Sequence, residues 1–517
     1  MITNHLYIKQ FKAPLLGLLL FFASSAMQAQ TTQFNEPIRE STRIQSILES
    51  NGQYFGVGQF YQIATNRYSV NLLQFDATGA IVKEKRIIDS TQTFFPSNHI
   101  SLVKTFDGNF VTTIDNALGP STKNGILKFD SNLDTLWLRY PALSANVRPI
   151  YQIKQLPDSG FILTGLTYVA AKSRYDANLV RTNKHGVLLW EKIFQEPDSI
   201  SLYPFHVYPT PDGGFLMAGS KLYLPDQQTA NPLLMRTDSA GNLLWQKTYG
   251  GNQIDGIACA AYRDDGNIMI HYSQSFAKTA GGSKYFPVYS IIDDMTGQEI
   301  VKKNYPFIKI RNLMSHHLIK NGSKFIAVGR LAHQDTNLAG GVVQAYTLAI
   351  DENLNDLWFR YYNGQGVNAP PDDWSVLYDL RPTSDGGYIA GGYFTTFDTT
   401  HVNVHLGYNG WIVKMDSMGC AIPSCVNRIG VEEVITEKEE LNIFPNPVQT
   451  TLTIAADKLP PKTTLQLLDI RGTVWHEQRL TAAHTTLSVE AYPVGLYFVR
   501  LQAPSGHSQT HKLVIAR

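Results

Sequence analysis

Oxygen-bearing side chains alternate at Asp130, Asn132 and Asp134, the residue types and spacing from which calcium loops are built. An EF-hand loop also has Gly at its sixth position and Glu at its twelfth, and the segment that starts at Asp130 has neither. Asp and Asn are also common in turns between strands, where their side chains bind the adjacent backbone. We therefore interpret the three as turn residues and predict no cofactor, with Ca²⁺ as the cation to test.

Two histidine pairs, His316 with His317 and His401 with His405, are candidates for binding zinc. Neither pair lies in an HExxH pattern on a helix. A spacing of four residues places two side chains on one face only in a helix, whereas the residues around His401 and His405 favour a strand or a loop. The sequence therefore predicts no metal site at either pair.

Nucleophile motifs are also missing from the sequence, which contains no G-x-S-x-G string. Cys259 lies in the apolar string ACAAY, which is typical of a small buried hydrophobic residue. Cys420 and Cys425 are the candidate disulfide pair. We predict no catalytic residue and a protein that binds rather than catalyses.

The composition excludes several classes of protein. Charged residues make up 17% of the 517 residues, whereas hydrophobic residues make up 43% and aromatic residues 11%. A disordered chain lacks the apolar surface that offsets the entropy of ordering, so this chain is expected to fold. Its formal net charge of +1 indicates no attraction to nucleic acid or to an anionic membrane.

Residues 1–29 have the pattern of a secretory signal peptide, with basic residues, then an apolar run at 15–23, then small residues. The run is shorter than the ~20 apolar residues that cross a bilayer, and no later stretch comes closer. The sequence therefore predicts no transmembrane span, and a mature chain outside the cytoplasm, where a disulfide persists.

The middle of the chain repeats a turn related to Asp-Gly-Gly, followed by an apolar strand. The residue three positions after the turn Asp or Asn, with one insertion allowed before Phe325, recurs at intervals of 51 to 63 residues. These anchors are Tyr54, Phe110, Phe161, Phe215, Ile268, Phe325 and Tyr388. A second marker with the same period consists of Trp137, Trp190, Trp245 and Trp358. A fixed period of this kind indicates a repeat architecture, here with seven units.

Each unit contains two turn signals, Asp-Gly-Gly and Asp-x-x-Gly, so that two hairpins give four antiparallel strands. Four-stranded units of about 50 residues are typical of propeller blades, and we predict a seven-bladed β-propeller over residues 30–425. The last unit lacks its Trp and carries Pro423 where an outer strand should run. Phe34 to Pro37 resembles Phe194 to Pro197, so we predict that residues 31–36 supply the missing strand and close the ring.

The C-terminal end differs from the repeats. Residues 426–440 form an acidic stretch that is typical of a solvated linker. From 441 to 517, short alternating apolar strings separated by turn residues predict a small immunoglobulin-like β-sandwich. The fold class is therefore all-β, with a large propeller followed by a small sandwich.

Four motifs in residues 441–517 resemble the type IX secretion C-terminal sorting domain of Bacteroidota: the Pro-Asn-Pro string, LLDIRGTVW, GLYFVR and the terminal KLVI. The residues that carry the sorting motif are Pro445, Asn446, Pro447, Gly495, Tyr497 and Lys512. The resemblance implies a partnership with the type IX secretion machinery. It also implies that the chain is secreted, ending either outside the cell or attached to the outer-membrane surface.

The repeat region resembles bacterial propeller repeats with DGG turns, a resemblance that implies fold far more than activity. Four insertions interrupt its last three units, at 277–286, 331–341, 363–374 and 395–411, and loops on a rigid scaffold often carry function. We predict a cell-surface binding or adhesion protein whose ligand is a glycan, a polypeptide or a cell-envelope component. One alternative is an extracellular hydrolase or lyase acting on polysaccharide or peptide. Two carboxylates ~5 to 9.5 Å apart at the mouth of the central tunnel of the propeller would support glycoside hydrolysis. The other alternative is a mainly structural coat protein.

Overall fold

The computed structural model divides the chain into two compact units, Met1–Gly430 and Val431–Arg517. It describes residues 33–34, 42–62, 67–88, 94–96, 100–116, 123–144, 147–223, 229–251, 254–279, 282–305, 310–333, 343–364, 374–397, 405–421, 441–456, 463–469, 473–480, 484–502 and 508–517. The predicted signal peptide, the predicted linker and Cys425 lie outside these ranges. Within them, no helix has the length and apolar character that crossing a membrane requires.

The first unit consists of antiparallel strands, beginning with β1 (Gln33–Phe34). The next two groups are β2 (Thr42–Ser50), β3 (Gln53–Gln62), β4 (Arg67–Phe75) and β5 (Ile81–Ile87), followed by β6 (Phe94–Pro96), β7 (Val103–Lys104), β8 (Phe110–Asn116), β9 (Lys123–Phe129) and β10 (Thr135–Arg139). Then come β11 (Val147–Gln155), β12 (Phe161–Val169), β13 (Arg174–Thr182) and β14 (Leu188–Phe194), with a short 3-10 helix at Ala170–Lys172 between β12 and β13.

The remaining strands of this unit continue the pattern. They are β15 (Ile200–Pro209), β16 (Phe215–Tyr223), β17 (Thr229–Thr237) and β18 (Leu243–Thr248), then β19 (Cys259–Tyr262), β20 (Ile268–Thr279), β21 (Gly282–Ile292) and β22 (Glu299–Asn304). They end with β23 (Ile310–Asn321), β24 (Lys324–His333), β25 (Val343–Asp351) and β26 (Asp356–Tyr362), and with β27 (Ser375–Pro382), β28 (Tyr388–Phe397) and β29 (His405–Met415).

Strands pair in chain order within each group, so the sheets are four-stranded meanders with few exceptions. The second sheet has five strands, because β6 and β7 both pair with β8. The groups β19–β22 and β23–β26 join into one eight-stranded sheet through a single pair, Tyr285 with Ile310. All seven predicted anchors are buried; six lie on the second strand of a group, and Phe110 lies on β8, which follows the two short strands β6 and β7, so the predicted position of each first hairpin is confirmed.

The first and last sheets of the repeat region are in contact. β1 pairs with β29, Gln33 opposite Val413 and Phe34 opposite Ile412, so that the last sheet has the order β1-β29-β28-β27. β2 also packs against β27, β28 and β29. The prediction that the segment around residue 34 supplies the outer strand of the last sheet is therefore confirmed.

Both turn types are held by the side chain of their first Asp or Asn. In four groups of strands the Asp of the Asp-Gly-Gly turn, or of its relative, pairs with a largely buried basic side chain on the strand that follows the anchor strand. These pairs are Asp107 with Lys128, Asp158 with Arg181, Asp212 with Arg236 and Asp385 with Lys414. The repeated turn Asp therefore has a structural task in these units.

The second turn type is closed by one side-chain oxygen that accepts the backbone N–H groups two and four residues later, at 2.7–3.1 Å. This oxygen belongs to Asp76, Asp130, Asn183, Asp238, Asp351 and Asp416. Asp130 thus contacts the amides of Asn132 and Asp134, and the Asp134 carboxylate lies 2.9 Å from Lys85 Nζ. The interpretation of this triplet as turn residues is confirmed.

The recurring spacing of Trp and turn Gly reflects one contact between neighbouring groups of strands. In four outer strands a Trp packs under the turn Gly of the next group, where φ is positive and a Cβ atom would lie 2.7–3.2 Å from the Trp ring. The pairs are Trp137 with Gly186, Trp190 with Gly241, Trp245 with Gly297 and Trp358 with Gly419. The predicted role of these Trp residues in packing between units is confirmed.

Gly241→Ala is expected to lower the free energy of unfolding more than Gly213→Ala. Both residues have positive φ, +78° and +84°, and each substitution costs about 1–2 kcal/mol of backbone strain. A Cβ at 213 meets nothing within 4 Å, whereas one at 241 lies 2.9 Å from Trp190, which adds about 1–3 kcal/mol of overpacking. Urea unfolding of both variants measures the difference, and equal losses would contradict the packing role of Trp190.

The C-terminal unit contains β30 (Leu441–Phe444), β31 (Thr451–Ala456), β32 (Thr464–Asp469), β33 (Val474–Arg479), β34 (His484–Ser488), β35 (Gly495–Gln502) and β36 (Ser508–Ile515). They form two sheets, ordered β30-β31-β34 and β33-β32-β35-β36. One apolar core includes residues from both sheets, among them Leu452, Ile454, Leu467, Val499 and Leu513. The alternating strings of the sequence therefore fold as two sheets around a shared core.

Candidate functional site

We call the first strand of each group the inner strand. A β-bulge interrupts this strand in five groups, and a buried polar residue follows each bulge. These residues are Ser46, Gln152, His206, His317 and Asp379. Ser101 and Cys259 lie at the same distance, eight or nine residues, before the anchors of the other two groups. We call these seven buried residues the inner polar set.

Members of the inner polar set connect neighbouring sheets through the backbone. Oδ2 of Asp379 accepts the hydroxyl of Ser46 at 2.7 Å and the backbone N–H of Ile47 at 3.1 Å. Oγ of Ser46 accepts the N–H of Leu102 at 3.2 Å, and the same pattern recurs between Gln152 and the N–H of Val207. A buried backbone donor left unpaired is costly, so these side chains fix the register between sheets.

Asp379 and His317 form the ionisable core of the set. Nδ1 of His317 lies 3.0 Å from Oδ1 of Asp379, and both side chains are buried. Burial alone would raise the pKa of Asp379, but the charge of Arg381 and the contacts with His317 and Ser46 outweigh it and lower the pKa to about 2. Burial lowers the pKa of His317 to about 4. At neutral pH the pair is therefore a carboxylate beside a neutral imidazole.

The second pair in the set is Cys259 with His206, whose Sγ and Nε2 lie 3.7 Å apart. Cysteine chemistry requires the thiolate, and burial raises the pKa of Cys259 well above its usual value. The thiol therefore stays protonated. The prediction of Cys259 as a small buried residue is confirmed, and its histidine neighbour does not make it a nucleophile.

Lys154 and Arg381 lie two residues beyond the polar set on their strands, β11 and β27. Nε of Arg381 lies 3.0 and 3.2 Å from the two oxygens of Asp379. Lys154 comes from a different sheet, yet it interacts electrostatically with both Arg381 and Asp379. The inner strands of the third and last sheets therefore bring their charged side chains together, and we call Lys154, His317, Asp379 and Arg381 the central cluster.

A row of aromatic rings leads away from the inner strands. Tyr151 packs on Phe205 with ring centroids 4.8 Å apart, and the row continues through Tyr203 and Tyr175 to Tyr168 with spacings of 5.0 to 6.1 Å. Tyr151 is buried, whereas the other four rings are partly exposed. We call these five residues the aromatic row.

The aromatic row and the sequence insertions lie at the same end of the strands. In an antiparallel meander, the connections between second and third strands and those between sheets share one end. The row reaches the β12–β13 connection, and the insertions follow β20, β24, β26 and β28. The insertion at 277–286 lengthens the hairpin, with Thr279 opposite Gly282, so the expectation of a loop there is corrected to paired strands.

The predicted sorting residues lie near one edge of the C-terminal unit. The Asn446 side chain donates to the carbonyl of Lys512 at 2.8 Å and accepts the N–H of Val514 at 2.9 Å, which ties Pro445–Pro447 to β36. Gly495 starts β35, opposite Ile515, and the hydroxyl of Tyr497 donates to the carbonyl of Pro493. These contacts give the motif a structural role.

The structure describes only some of the other predicted site residues. Cys420 is buried and disulfide-bonded, and Cys425 lies outside the described residues, so their pairing stays a prediction. His401 also lies outside, and His405 begins β29. Among the described residues, no group of three His, Cys, Asp or Glu side chains is arranged to hold a metal ion.

The central cluster was missed by sequence reasoning, although its signal was present. A polar residue eight or nine positions before each anchor recurs with the period of the repeat, and His317 and Asp379 are two of its instances. No local motif identifies these residues, because their partners are distant in sequence.

Comparison with solved structures finds chains that are similar at low sequence identity. The polysaccharide lyase Uly1 is 10% identical, over 72% of this chain and 89% of that one, with a TM-score of 0.45. The β-propeller domain of the Trilobed protease from Pyrococcus furiosus is 11% identical, over 69% and 94%, with a TM-score of 0.38. The Penicillium chrysogenum α-L-arabinanase complexed with arabinobiose is 11% identical, over 64% and 94%, also at 0.38.

The fold is all-β and β-propeller-like, and likenesses at these scores support no statement about activity. No curated protein matches the chain. Residues 442–516 match the family model of the secretion system C-terminal sorting domain, which covers almost all of the described C-terminal unit. This C-terminal unit is therefore a type IX secretion C-terminal sorting domain, and its presence implies that the chain engages that machinery and is exported to the cell surface or beyond it.

Proposed function

We propose that this is an exported binding protein of Bacteroidota, with a seven-bladed propeller at 30–425 that recognises its ligand and an immunoglobulin-like sorting domain at 441–517 that delivers it. In this proposal residues 1–29 are the signal peptide and 426–440 the linker. The pairing of β1 with β29 supports closure of the blades into a ring. The ligand is a glycan, a polypeptide or a cell-envelope component.

The aromatic row is the observation that carries the binding proposal. Partly exposed Tyr and Phe rings supply large apolar faces with polar edges at little cost in conformational entropy, and such rings stack on sugars and on peptide groups. Four of the five rings are accessible, and they lie at the end of the strands where the insertions occur. This end is therefore the proposed binding face.

The ionisation of Asp379 does not fit the general acid of a glycoside hydrolase. Such an enzyme needs a carboxylic acid that donates a proton near neutral pH. Asp379 instead has a pKa of about 2 and accepts hydrogen bonds from Ser46 and Ile47. This carboxylate positions its neighbours, and the turnover measurement below tests hydrolysis by other groups.

Two arms test the proposal. In a host with a type IX system, a chain truncated after residue 440 is expected to stay in the periplasm, whereas the full chain reaches the surface or the medium; equal export of both would overturn the delivery role. In the second arm the purified full chain is screened against polysaccharide and peptide arrays, with turnover of each bound ligand followed by product release.

For a ligand found in this way, Tyr203→Ala is expected to weaken binding at least tenfold, because a central aromatic contact contributes about 2 kcal/mol or more. Phe106→Ala is the control, since Phe106 is an exposed aromatic residue in the turn between β7 and β8, at the opposite end of the strands. Equal losses in the two variants would place the ligand elsewhere. Release of a product from a bound ligand would show that the protein is an enzyme and would contradict the proposal of binding without catalysis.

A further inference from the structure

Two arginines at the proposed binding face lie on aromatic rings. Cζ of Arg43, on β2, lies 3.8 Å from the ring centroid of Tyr408 and 4.9 Å from that of Tyr393. Cζ of Arg330, on β24, lies 5.8 Å from the ring centroid of Trp374. A guanidinium within about 6 Å of a ring centroid is attracted to the face of the ring, which holds the charge in place. We call these five residues the arginine–aromatic cluster.

Hydrogen bonds through Thr395 join the two parts of the cluster. The N–H of Trp374 donates to Oγ1 of Thr395 at 3.1 Å, and the N–H of Thr395 donates to the carbonyl of Trp374 at 2.9 Å. Thr395 pairs with Tyr408 in the ladder between β28 and β29, and it lies two residues after Tyr393 on β28. Both arginines therefore lie on rings that are fixed to the same short part of these two strands.

The charges of the two arginines also act on the same tyrosine hydroxyls. Tyr378, on β27, packs on Tyr393 with ring centroids 5.8 Å apart. Burial raises the pKa of both tyrosines, and the charges of Arg43 and Arg330 both oppose that rise. The positive charges of the cluster thus act together at this position.

Neither arginine of the cluster pairs with a carboxylate of the described residues. Five other arginines of the repeat region, whose side chains are 22% exposed or less, do form such ion pairs; they are Arg174, Arg181, Arg236, Arg263 and Arg381. The guanidinium of Arg43 contacts rings alone, and that of Arg330 donates to Sδ of Met314 at 3.7 Å. The arginine side chain keeps its charge in proteins, so two full positive charges remain available to a ligand.

The cluster is accessible at the end of the strands where the insertions occur. Trp374 is 39% exposed, and Arg43, Arg330 and Tyr408 are partly exposed. Arg43 lies at the start of β2, and Trp374 directly precedes β27. Arg330 lies near the end of β24, and Tyr408 near the start of β29. In an antiparallel meander the first and third strands start, and the second strand ends, at one end, so the cluster lies on the proposed binding face.

We propose that the arginine–aromatic cluster binds an acidic polysaccharide, a polymer whose sugars carry carboxylate or sulfate groups. The guanidinium groups donate charge-assisted hydrogen bonds to these anions, and the exposed rings of Trp374 and Tyr408 pack on the apolar faces of the sugars. Two adjoining pairs of arginine and ring match a polymer that repeats an acidic sugar, because successive sugars meet equivalent partners. The inference rests on the proposed binding function and assigns a class of ligand to it.

The first measurement is the affinity of the purified full chain for immobilised polymers. Polygalacturonate presents carboxylates, dextran sulfate presents sulfates, and dextran is the neutral counterpart. We expect at least one acidic polymer to bind at least about tenfold more tightly than dextran, and the tighter of the two identifies the anion. This preference should shrink as the salt concentration rises from about 0.05 to 0.5 M, since salt screens exposed charges. Equal affinity for all three polymers would overturn the proposal.

The second measurement removes the charges of the cluster. The double variant Arg43→Gln with Arg330→Gln keeps planar polar side chains on the rings, and it should bind the preferred acidic polymer at least about tenfold more weakly. The control is Lys104→Gln with Lys184→Gln, which removes the same net charge from two exposed lysines at the opposite end of the strands. Thermal melting verifies that both variants fold. Equal affinity of the two double variants would overturn the site.

Two further polymers separate this inference from the proposed function. If the chain binds a neutral glycan but neither acidic polysaccharide, the acidic-polysaccharide site is wrong, while the binding function stands. Tighter binding to polyglutamate than to either acidic polysaccharide would also overturn the site, in favour of an acidic peptide. Binding to none of the glycans and peptides would contradict both proposals.

Discussion

Asp115→Asn is expected to raise the free energy of unfolding at pH 8 by about 2–4 kcal/mol. Asp115 is buried on β8, and burial raises the pKa of its carboxyl to about 7. Its one hydrogen bond is the weak one from the N–H of Ile150, at 3.4 Å. Asparagine keeps the oxygen that accepts this N–H and removes the cost of burying a charge.

The pH dependence of this gain in stability follows from the direction in which the pKa of Asp115 is shifted. Because the folded pKa of Asp115 lies above the unfolded value of about 4, the native state binds a proton more tightly, and the penalty appears as pH rises from 4 through 7. The advantage of Asp115→Asn should therefore be largest at pH 8 and vanish near pH 4. Urea unfolding at both pH values measures it. Asp134→Asn, an exposed carboxylate paired with Lys85, is the control that should not gain.

Asp379→Asn is expected to have the opposite effect, a loss of about 3–5 kcal/mol at pH 7, because it leaves buried cations without their counter-charge. The substitution removes the carboxylate beside Arg381 and His317 and weakens the acceptor for Ser46. Asp158→Asn is the matched control: it also removes a carboxylate from an arginine, Arg181, but Asp158 is largely exposed, and the expected loss is about 1 kcal/mol or less.

The pH dependence of the free energy of unfolding distinguishes the contribution of the Asp379 charge from the contribution of its packing. Its pKa is lowered to about 2 in the folded state, so its stabilising effect is fully present above the unfolded pKa of about 4 and is lost as pH falls towards 2. The difference in stability between the parent protein and Asp379→Asn should therefore shrink as the pH falls from 4 towards 2. A loss that stays constant down to pH 3 would mean that packing, rather than charge, holds this position.

Most of the architecture follows from local chemistry. Turn residues and alternating apolar residues specify hairpins through contacts a few positions apart, which is why the anchors at Phe161 and Phe215 could be assigned to second strands from the sequence. The pairing of β1 with β29 could be predicted because Phe34 repeats a motif that follows another outer strand. Local signals of this kind recur along the sequence with the same period, and this recurrence makes the strands predictable.

The central cluster could not be predicted in the same way. Lys154 and Asp379 are brought together by the arrangement of sheets, and nothing near either residue in the sequence identifies the other. The ionisation of buried groups also depends on their surroundings. Asp115 and Asp379 are both aspartates on buried strands, yet the pKa of Asp115 is raised and the pKa of Asp379 is lowered. That difference depends on whether a cation reaches the carboxylate, and only the three-dimensional arrangement decides it.

The pairing of Gln33 with Val413 has a consequence for the order in which the protein folds. The last sheet acquires its fourth strand only when the two ends of the repeat region meet, and contacts between residues so far apart form late and slowly. Because synthesis starts at the N-terminus, the segment around Gln33 emerges hundreds of residues before its partner. Until they meet, β29 remains an open edge that another chain can occupy, so this is the step at which crowded conditions would trap the protein.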